Sequence, residues 1–408
     1  MKLLIKEGNI LTMDRKINPK QQDQPLSSTG TIINPGDILI QDGKIQKISK
    51  HIDPKLHEPV EILNVSGCYV IPGIIESHCH IGITEERKGK EGDDSNECCS
   101  PVTPYLRAID AINPLDAAFH QALRAGITSV MVGPGSSNAV GGQFLFMKTW
   151  GSRCIDDLIV KHPAAMKIAL GENPKTLYGG KDMIPSTRMS IAALIRKELF
   201  KAQQYKKKKE EALKDNRPFE EDFELECYLP VLRREIPLKS HVHRTDDILT
   251  AIRIAQEFQV DITLDHCTEG HLIAEKIKES GFPCIVGPDL ASRSKIEVEN
   301  MAFKTVGILN KAGIKVAITT DHPVSLIQTL PLCAGLAAKN GLGIPAALLA
   351  ITHNAADICR VSDRIGSLEI GKDADIAIFD GNPMELFTNC LYTIVDGSIA
   401  YRFDQKNE

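Results

Sequence analysis

The stretch YVIPGIIESHCH, residues 69–80, ends an apolar run on two histidines one residue apart. Residues i and i+2 of a strand point to the same side, so the imidazoles of His78 and His80 can share one cation. Alone, the pair reads equally well as two structural or surface histidines. The same ending recurs further on: His241 and His243 follow IPLKS, Asp265 and His266 follow VDITL, and Asp321 and His322 follow IKVAITT. Chance does not readily place imidazoles at four such ends, so the pattern points to a metal centre. A carboxylate there has its own task, because water attacking beside a cation must lose a proton and the leaving nitrogen must gain one. Asp321 is placed for that, although Asp321-His322-Pro323 also reads as a helix start capped by the aspartate.

Other groups could face a substrate. His243 could polarise a carbonyl or be a satisfied histidine behind the ligands. Arg244 and Arg293 could pair with a substrate carboxylate or lie on the surface. The glycine-rich GPGSSNAVGGQ, residues 133–143, lacks both the GK[ST] ending of a phosphate loop and the GxGxxG of a dinucleotide site. It reads as a pocket wall contributing Ser136, Ser137 and Asn138, or as a flexible turn.

Elements that could gather these residues are legible in outline. The first 70 residues alternate short apolar runs with DG and PG turns, and the style returns in SLEIGKDADIAIFDGNP and YTIVDGSIAYRF near the other end. Between them GITSVMVG, MKIALG, IPLKSHV, VDITLDH, FPCIVG and IKVAITTDH are each followed by a helical period. Such alternation predicts an α/β fold with a (β/α)8 TIM-like barrel over residues 71–361, and a small β-sandwich subdomain built from 1–70 and 362–408. In that barrel the strand C-termini converge on one face, so residues distant in sequence become neighbours. A charged stretch containing KKKKEE marks a helical insertion at about 180–232; it reads as a solvated helix surface or a partner-binding patch, and its position makes it a candidate lid.

Composition narrows the class. A chain of 408 residues, 42% of them hydrophobic, can bury a large core, and a net charge of −5 gives no basic bias for nucleic acid. A small-molecule substrate is the expectation, with neither nucleic acid nor membrane as partner. MKLLIKEGNILTMD lacks the apolar core of a signal peptide, no run of about 18 apolar residues occurs, and the 11 cysteines contain no CxxC pair. These features predict a cytoplasmic protein with free thiols, whose metal must be held by histidines and carboxylates.

The sequence resembles the metal-dependent amidohydrolase superfamily, in the branch near imidazolonepropionase and the related cytosolic dipeptidases. VIPGIIESHCH is similar to that family's PG(x)DxHxH opening, with Glu76 where many members have Asp; GITSVMV resembles its second-strand GxTxx, and IGSLEIGKDADIAIFDGNP its returning β-subdomain. The resemblance implies His78 and His80 as first-strand ligands, His241 and His266 as ligands from the fifth and sixth strands, and Asp321 as last-strand ligand and proton shuttle. It leaves the fourth-strand position between Lys167, carbamylated in some members, and Glu172. Glu172 is favoured, because an ammonium has no lone pair whereas a carboxylate coordinates unmodified. One or two divalent ions are expected, zinc first, with manganese, iron, nickel or cobalt compatible with the same ligands. The implied activity is hydrolysis of a C–N bond in a small amide, lactam or cyclic amidine. A metallodipeptidase of Xaa-Pro type and a catalytically silent scaffold are the alternatives, and a homodimer or homotetramer is the expected assembly.

Overall fold

The computed structural model describes residues 2–14, 30–86 and 88–404, so residues 1, 15–29 and 405–408 of the expected terminal subdomain lie outside the described residues. The first strands are β1 (Lys2–Leu11), β2 (Ile32–Gln41), β3 (Lys44–Ser49), β4 (Glu61–Asn64) and β5 (Tyr69–Pro72). Next come β6 (Ile74–Cys79), β7 (Ile127–Val132), β8 (Val140–Lys148), β9 (Ile159–Ala169), β10 (Leu238–Val242), β11 (Ile262–His266), β12 (Cys284–Val286) and β13 (Val316–Ile318). The last three are β14 (Ile376–Phe379), β15 (Cys390–Val395) and β16 (Ser398–Arg402).

Strands from the two ends of the chain share one sheet in the order β16-β15-β14-β5-β1-β2-β3, with β4 also paired to β1. The union is made where β14 pairs antiparallel to β5, Ile378 opposite Val70. Leu3, Ile5, Ile38, Ile40, Val70, Ile376 and Ile378 form its own apolar core. Hydrogen bonds run through it as one continuous sheet. It is tied to the rest of the molecule by the buried Lys148 of β8, whose Nζ lies 3.1, 2.7 and 3.1 Å from carboxylates of Asp373, Asp375 and Asp396.

The second sheet runs β6 to β13 in sequence order. His80 N–H donates to the His322 carbonyl at 2.8 Å, which brings its first and last members together and nearly closes the barrel. The expected uninterrupted β/α alternation fails at one place. β8 is antiparallel to both β7 and β9, and its residues 140–143 are the second half of the stretch read as a glycine-rich loop. The glycines at 141 and 142 disguised a nine-residue strand buried throughout.

Alternation along the strands sorts side chains into two layers. In β10 Leu238 and Val242 join the core that packs against the surrounding helices, while Lys239 and His241 share the opposite, interior side. Ile75, Met131, Phe144, Phe146, Ile285 and Ala317 fill the interior beneath them. The larger of these, the isoleucines, phenylalanines and methionine, each contribute about 1.5–3 kcal/mol relative to exposure. Gly73 is required where β5 turns into β6: a Cβ there would sit 2.1 Å from Thr128 Oγ1.

The helical insertion is present as the helix Arg188–Lys214 and two short helices, Phe223–Glu226 and Leu229–Leu232. Thr187 Oγ1 accepts the Ser190 N–H and Ser190 Oγ accepts the Thr187 N–H, a reciprocal cap that starts the long helix. Its apolar stripe, Ile191, Ile195, Leu199 and Ala202, is buried. The KKKKEE run is a solvated surface braced by Lys206–Glu210 and Lys207–Glu211 pairs at 3.8 and 3.9 Å. None of the described residues is part of a helix long and apolar enough to cross a membrane.

Candidate metal centre

His78, His80, His241, His243, His266 and Asp321 converge at the C-terminal mouth of the barrel. Ring centroids of His241 and His266 are 4.4 Å apart, those of His78 and His266 5.0 Å, and those of His78 and His80 5.5 Å. Strand alternation carries His241 and His243 inward with Lys239, whereas β6 shifts register between Glu76 and Cys79, so that His78 faces inward beside Phe144 although Ile75, three residues before it, does too. His266 would face outward by the same rule, since Leu264 does; its φ of 69° breaks the strand and leaves its ring among the others. Asp321, with φ of 52°, lies in a turn rather than at the head of a helix, so the capping role anticipated for it is not taken up.

Backbone acceptors fix which ring nitrogens face the centre. His80 Nδ1 lies 2.7 Å from the Gly133 carbonyl and His266 Nδ1 2.8 Å from that of Gly287. A carbonyl only accepts, so both Nδ1 atoms carry protons and both Nε2 atoms present lone pairs. His78 Nδ1 is held 2.6 Å from Asp265 Oδ2, and Asp265 is itself bound by Lys239 Nζ at 3.0 Å and by Thr263 Oγ1 at 2.6 Å. Asp321 Oδ1 lies 3.4 Å from His80 Nε2 and 3.5 Å from His78 Nε2.

These atoms suit a divalent cation. His266 Nε2, Asp321 Oδ1 and both ring nitrogens of His241 are buried with no hydrogen-bond partner among the described residues, a costly condition unless something electrophilic sits between them. Donor atoms of His241, His243 and His266 fall within 4.8 Å of one another, as do those of His78, His266 and Asp321. Burial holds His78, His241 and His266 well below the usual imidazole range, helped for His78 by Lys167 and for His241 by His243. Burial likewise lowers His243 to about 4, against the pull of Glu297. All four are therefore neutral at pH 7, the form that coordinates. Burial works to raise Asp321, but His266 and His80 outweigh it and keep the carboxylate below its ordinary range.

The fourth-strand position departs from expectation. Glu172 is the first residue of the helix Glu172–Gly179, half-buried, and its backbone N–H donates to Glu297 Oε2 at 2.8 Å; it is not among the converging donor groups. Lys167 of β9 is fully buried, with Nζ 3.2 Å from His78 Nε2, and burial lowers it to about 8 against the opposing charges of Asp265 and Asp321. The carboxylate that approaches the fifth-strand pair is Glu297, buried and 3.8 Å from Nε2 of both His241 and His243. Nothing periodic in SRSKIEVEN marked it.

A chamber of about 280 Å³ opens over the cluster, lined by His80, His241, His243 and Asp321 together with Ser136, Asn173 and Lys295. His243 thus faces it, its Nδ1 2.8 Å from Thr268 Oγ1. Ser136, anticipated as pocket wall, lines it too, whereas Arg244, Arg293 and Asn138 do not. Arg293 Nε and Nη2 donate to the carbonyls of Glu299 and Met301, and the guanidinium of Arg244 grips Asp246. Asn138 is buried between Thr103 and Tyr178 and lines an adjoining cavity of about 410 Å³. No residue between 180 and 232 lines the chamber, so the insertion is not a lid in this conformation; it packs through Arg188 on Asp247 at 3.0 Å.

A nearly closed barrel with histidines and an aspartate at the C-terminal ends of its strands is the architecture of a hydrolase class, and the chain belongs to the amidohydrolase family. The sequence profile of that family matches residues 280–401. A solved amidohydrolase from Thermotoga maritima is 38% identical, with 98% of this chain and 100% of that one covered and a TM-score of 0.91. The amidohydrolase tasK of Hapsidospora irregularis is 27% identical over 402 residues, 90% of this chain; the chain spans only 40% of that relative's length. The imidazolonepropionase of Brevibacillus brevis is 23% identical over 391 residues, 86% of this chain and 85% of its own.

Proposed function

We propose that the protein is a metal-dependent amidohydrolase that cleaves a C–N bond of a small amide, lactam or cyclic amidine. The observation that carries this reading is the set of buried, unpartnered lone pairs on His241, His266 and Asp321 beneath an open chamber. His78, His80, His241, His266 and Asp321 would hold one or two divalent ions, zinc being the first choice for a ligand set of imidazoles and carboxylate. When bound, such an ion supplies Lewis acidity, making water more acidic and a carbonyl more electrophilic. Asp321 Oδ1 takes the proton that water loses and returns it to the leaving nitrogen. With the Thr268 hydroxyl donating to Nδ1, His243 keeps its proton on Nε2 and donates it to the substrate carbonyl oxygen. Asp265 orients His78, and the Gly133 and Gly287 carbonyls orient His80 and His266, so the inward lone pairs are set before any substrate arrives.

Elemental analysis of the purified protein, with a turnover screen of lactams, imidazolones and dipeptides, tests the reading. At least one divalent ion per chain in the wild type, lost together with turnover in His266→Ala, is the expected result. Metal-free wild type after expression in supplemented medium, or unchanged turnover in the variant, refutes it.

A second reading, the Xaa-Pro type dipeptidase, is favoured by the position of Lys167. Its Nζ beside His78 Nε2 stands where a carbamylated side chain would enter the ligand set. A carbamate resonance after growth on 13C-bicarbonate, absent in Lys167→Met, supports that version; its absence leaves the site to the remaining ligands.

A further inference from the structure

We infer that the substrate carries a carboxylate, and that Lys295 is the residue that selects it. The inference rests on the hydrolytic reading above for its substrate, but the anchor itself is defined by geometry.

The two arginines anticipated as anchors are spoken for, Arg244 by Asp246 and Arg293 by the Glu299 and Met301 carbonyls, and Lys167 lies buried against His78. Lys295 is the only lysine or arginine among the described residues lining the chamber. Its side chain is 30% exposed and lines the cavity rather than being sealed in protein. Nζ donates to Asn173 Oδ1 at 2.8 Å and to Glu297 Oε1 at 3.0 Å. An ammonium has three donors; among the described residues the third has no partner.

Both partners of Lys295 are themselves fixed. Asn173 Nδ2 donates to Ser136 Oγ at 2.7 Å, and Glu297 Oε2 accepts the Glu172 N–H at 2.8 Å. Ser136, Asn173, Lys295 and Glu297 therefore form a hydrogen-bonded rim from the segment after β7 to the segment after β12. A lysine held this way has already lost most of its rotamer freedom, so closing on an anion costs little more entropy. The chamber's other charged side chains, Asp93 and Asp321, are carboxylates, so besides an ion held by the histidine cluster Lys295 is the lining group that draws an anion. A cation immobilised at one wall of a small polar chamber is thus a discriminator: it admits an amide bearing a carboxylate and orients the amide toward His243 and Asp321.

The test is calorimetric titration of the metal-loaded full chain with N-acetyl-L-alanine, N-acetyl-L-proline and pyroglutamate, each against its own carboxamide. At least one acid is expected to bind tenfold or more tightly than its amide. In Lys295→Met that ratio falls to about one while amide affinity changes less than twofold, and Lys295→Arg restores most of the preference. Three outcomes overturn the inference: no acid preferred by wild type, a preference that survives Lys295→Met, or equal weakening of acid and amide. Turnover of the same probes is scored separately, so an intact preference without hydrolysis would sink the hydrolase reading and leave the anchor standing.

Discussion

Lys148→Met removes a buried cation that ties the terminal sheet to the barrel. Its side chain is 4% exposed and meets three carboxylates, but their fates differ. Asp373 retains Lys44 at 2.5 Å and Arg364 at 2.8 Å, and Asp396 is half exposed and regains water. Asp375 is left with only the Ser129 hydroxyl at 3.3 Å and the Asp396 N–H at 3.0 Å. One uncompensated buried carboxylate places the loss near the lower end of the roughly 3–5 kcal/mol typical of breaking a buried pair. At about 2 cal/mol/K of unfolding entropy per residue, that is a fall of about 4 °C in Tm. Burial already raises the Asp375 carboxyl, against Lys148, which lowers it. A carboxyl raised in the folded state loses stability as pH rises from its unfolded toward its folded pKa, so the variant's deficit should shrink between pH 7 and pH 5. Denaturant titration of wild type, Lys148→Met, Asp375→Asn and Lys148→Met/Asp375→Asn at both pH values measures this. The double variant should regain at least about 1 kcal/mol over the single one. A single-variant cost under about 1 kcal/mol, strict additivity, or a deficit that grows on acidification would refute the account of Lys148 as the counter-ion of Asp375.

Asp265→Asn, which weakens the hold on His78 Nδ1 and leaves Lys239 partly unpaired, should lower affinity for a divalent ion about 10–100-fold, measured by competition with a chromophoric chelator; undiminished affinity would mean that His78 needs no such orientation. Gly287→Ala, at φ 126° with a Cβ only 2.2 Å from the Thr319 carbonyl, should reduce both Tm and metal occupancy, because the same residue's carbonyl orients His266. Thermal melts with and without metal check this, and a shift confined to stability would separate backbone strain from the site.

Much of the candidate cluster was legible because its residues end apolar runs: that His78, His80, His241, His266 and Asp321 converge needed only the rule that barrel strands finish on one face. Lys167 was visible in MKIAL, but chemistry argued against a lysine ligand while register could not yet place it; opposite Lys239 on β10, it lands beside His78. Glu297 and Lys295 sit in a polar loop whose composition looks like surface, and only the packing of three loops reveals that one is buried and the other faces the chamber. Arg244 and Arg293 failed for the complementary reason. Charge shows in a sequence, but the direction of a long side chain is settled by the nearest competing acceptor. The fold followed the same division: apolar runs announced seven barrel strands, while β8 hid behind two glycines.

Glu76 shows how closely the fold and the site are joined. Where the resemblance led to an aspartate, the longer side chain reaches across the seam between β6 and β13. Oε1 accepts the His78 N–H at 3.1 Å, and Oε2 accepts the N–H and hydroxyl of Thr320 at 2.8 and 2.7 Å. Thr319 completes the junction, donating to the His78 carbonyl at 2.7 Å and accepting the Asp321 N–H at 2.9 Å. Burial raises Glu76 to about 6 even though the Thr319 and Thr320 bonds pull it down, so this junction is held at the cost of desolvating a carboxyl. Apolar side chains could have closed the seam, but they would not have fixed the backbone immediately before His78 and Asp321. The barrel is therefore joined by the same hydrogen bonds that aim two of its proposed ligands, and a change that loosens the seam should blunt the centre before it unfolds the protein.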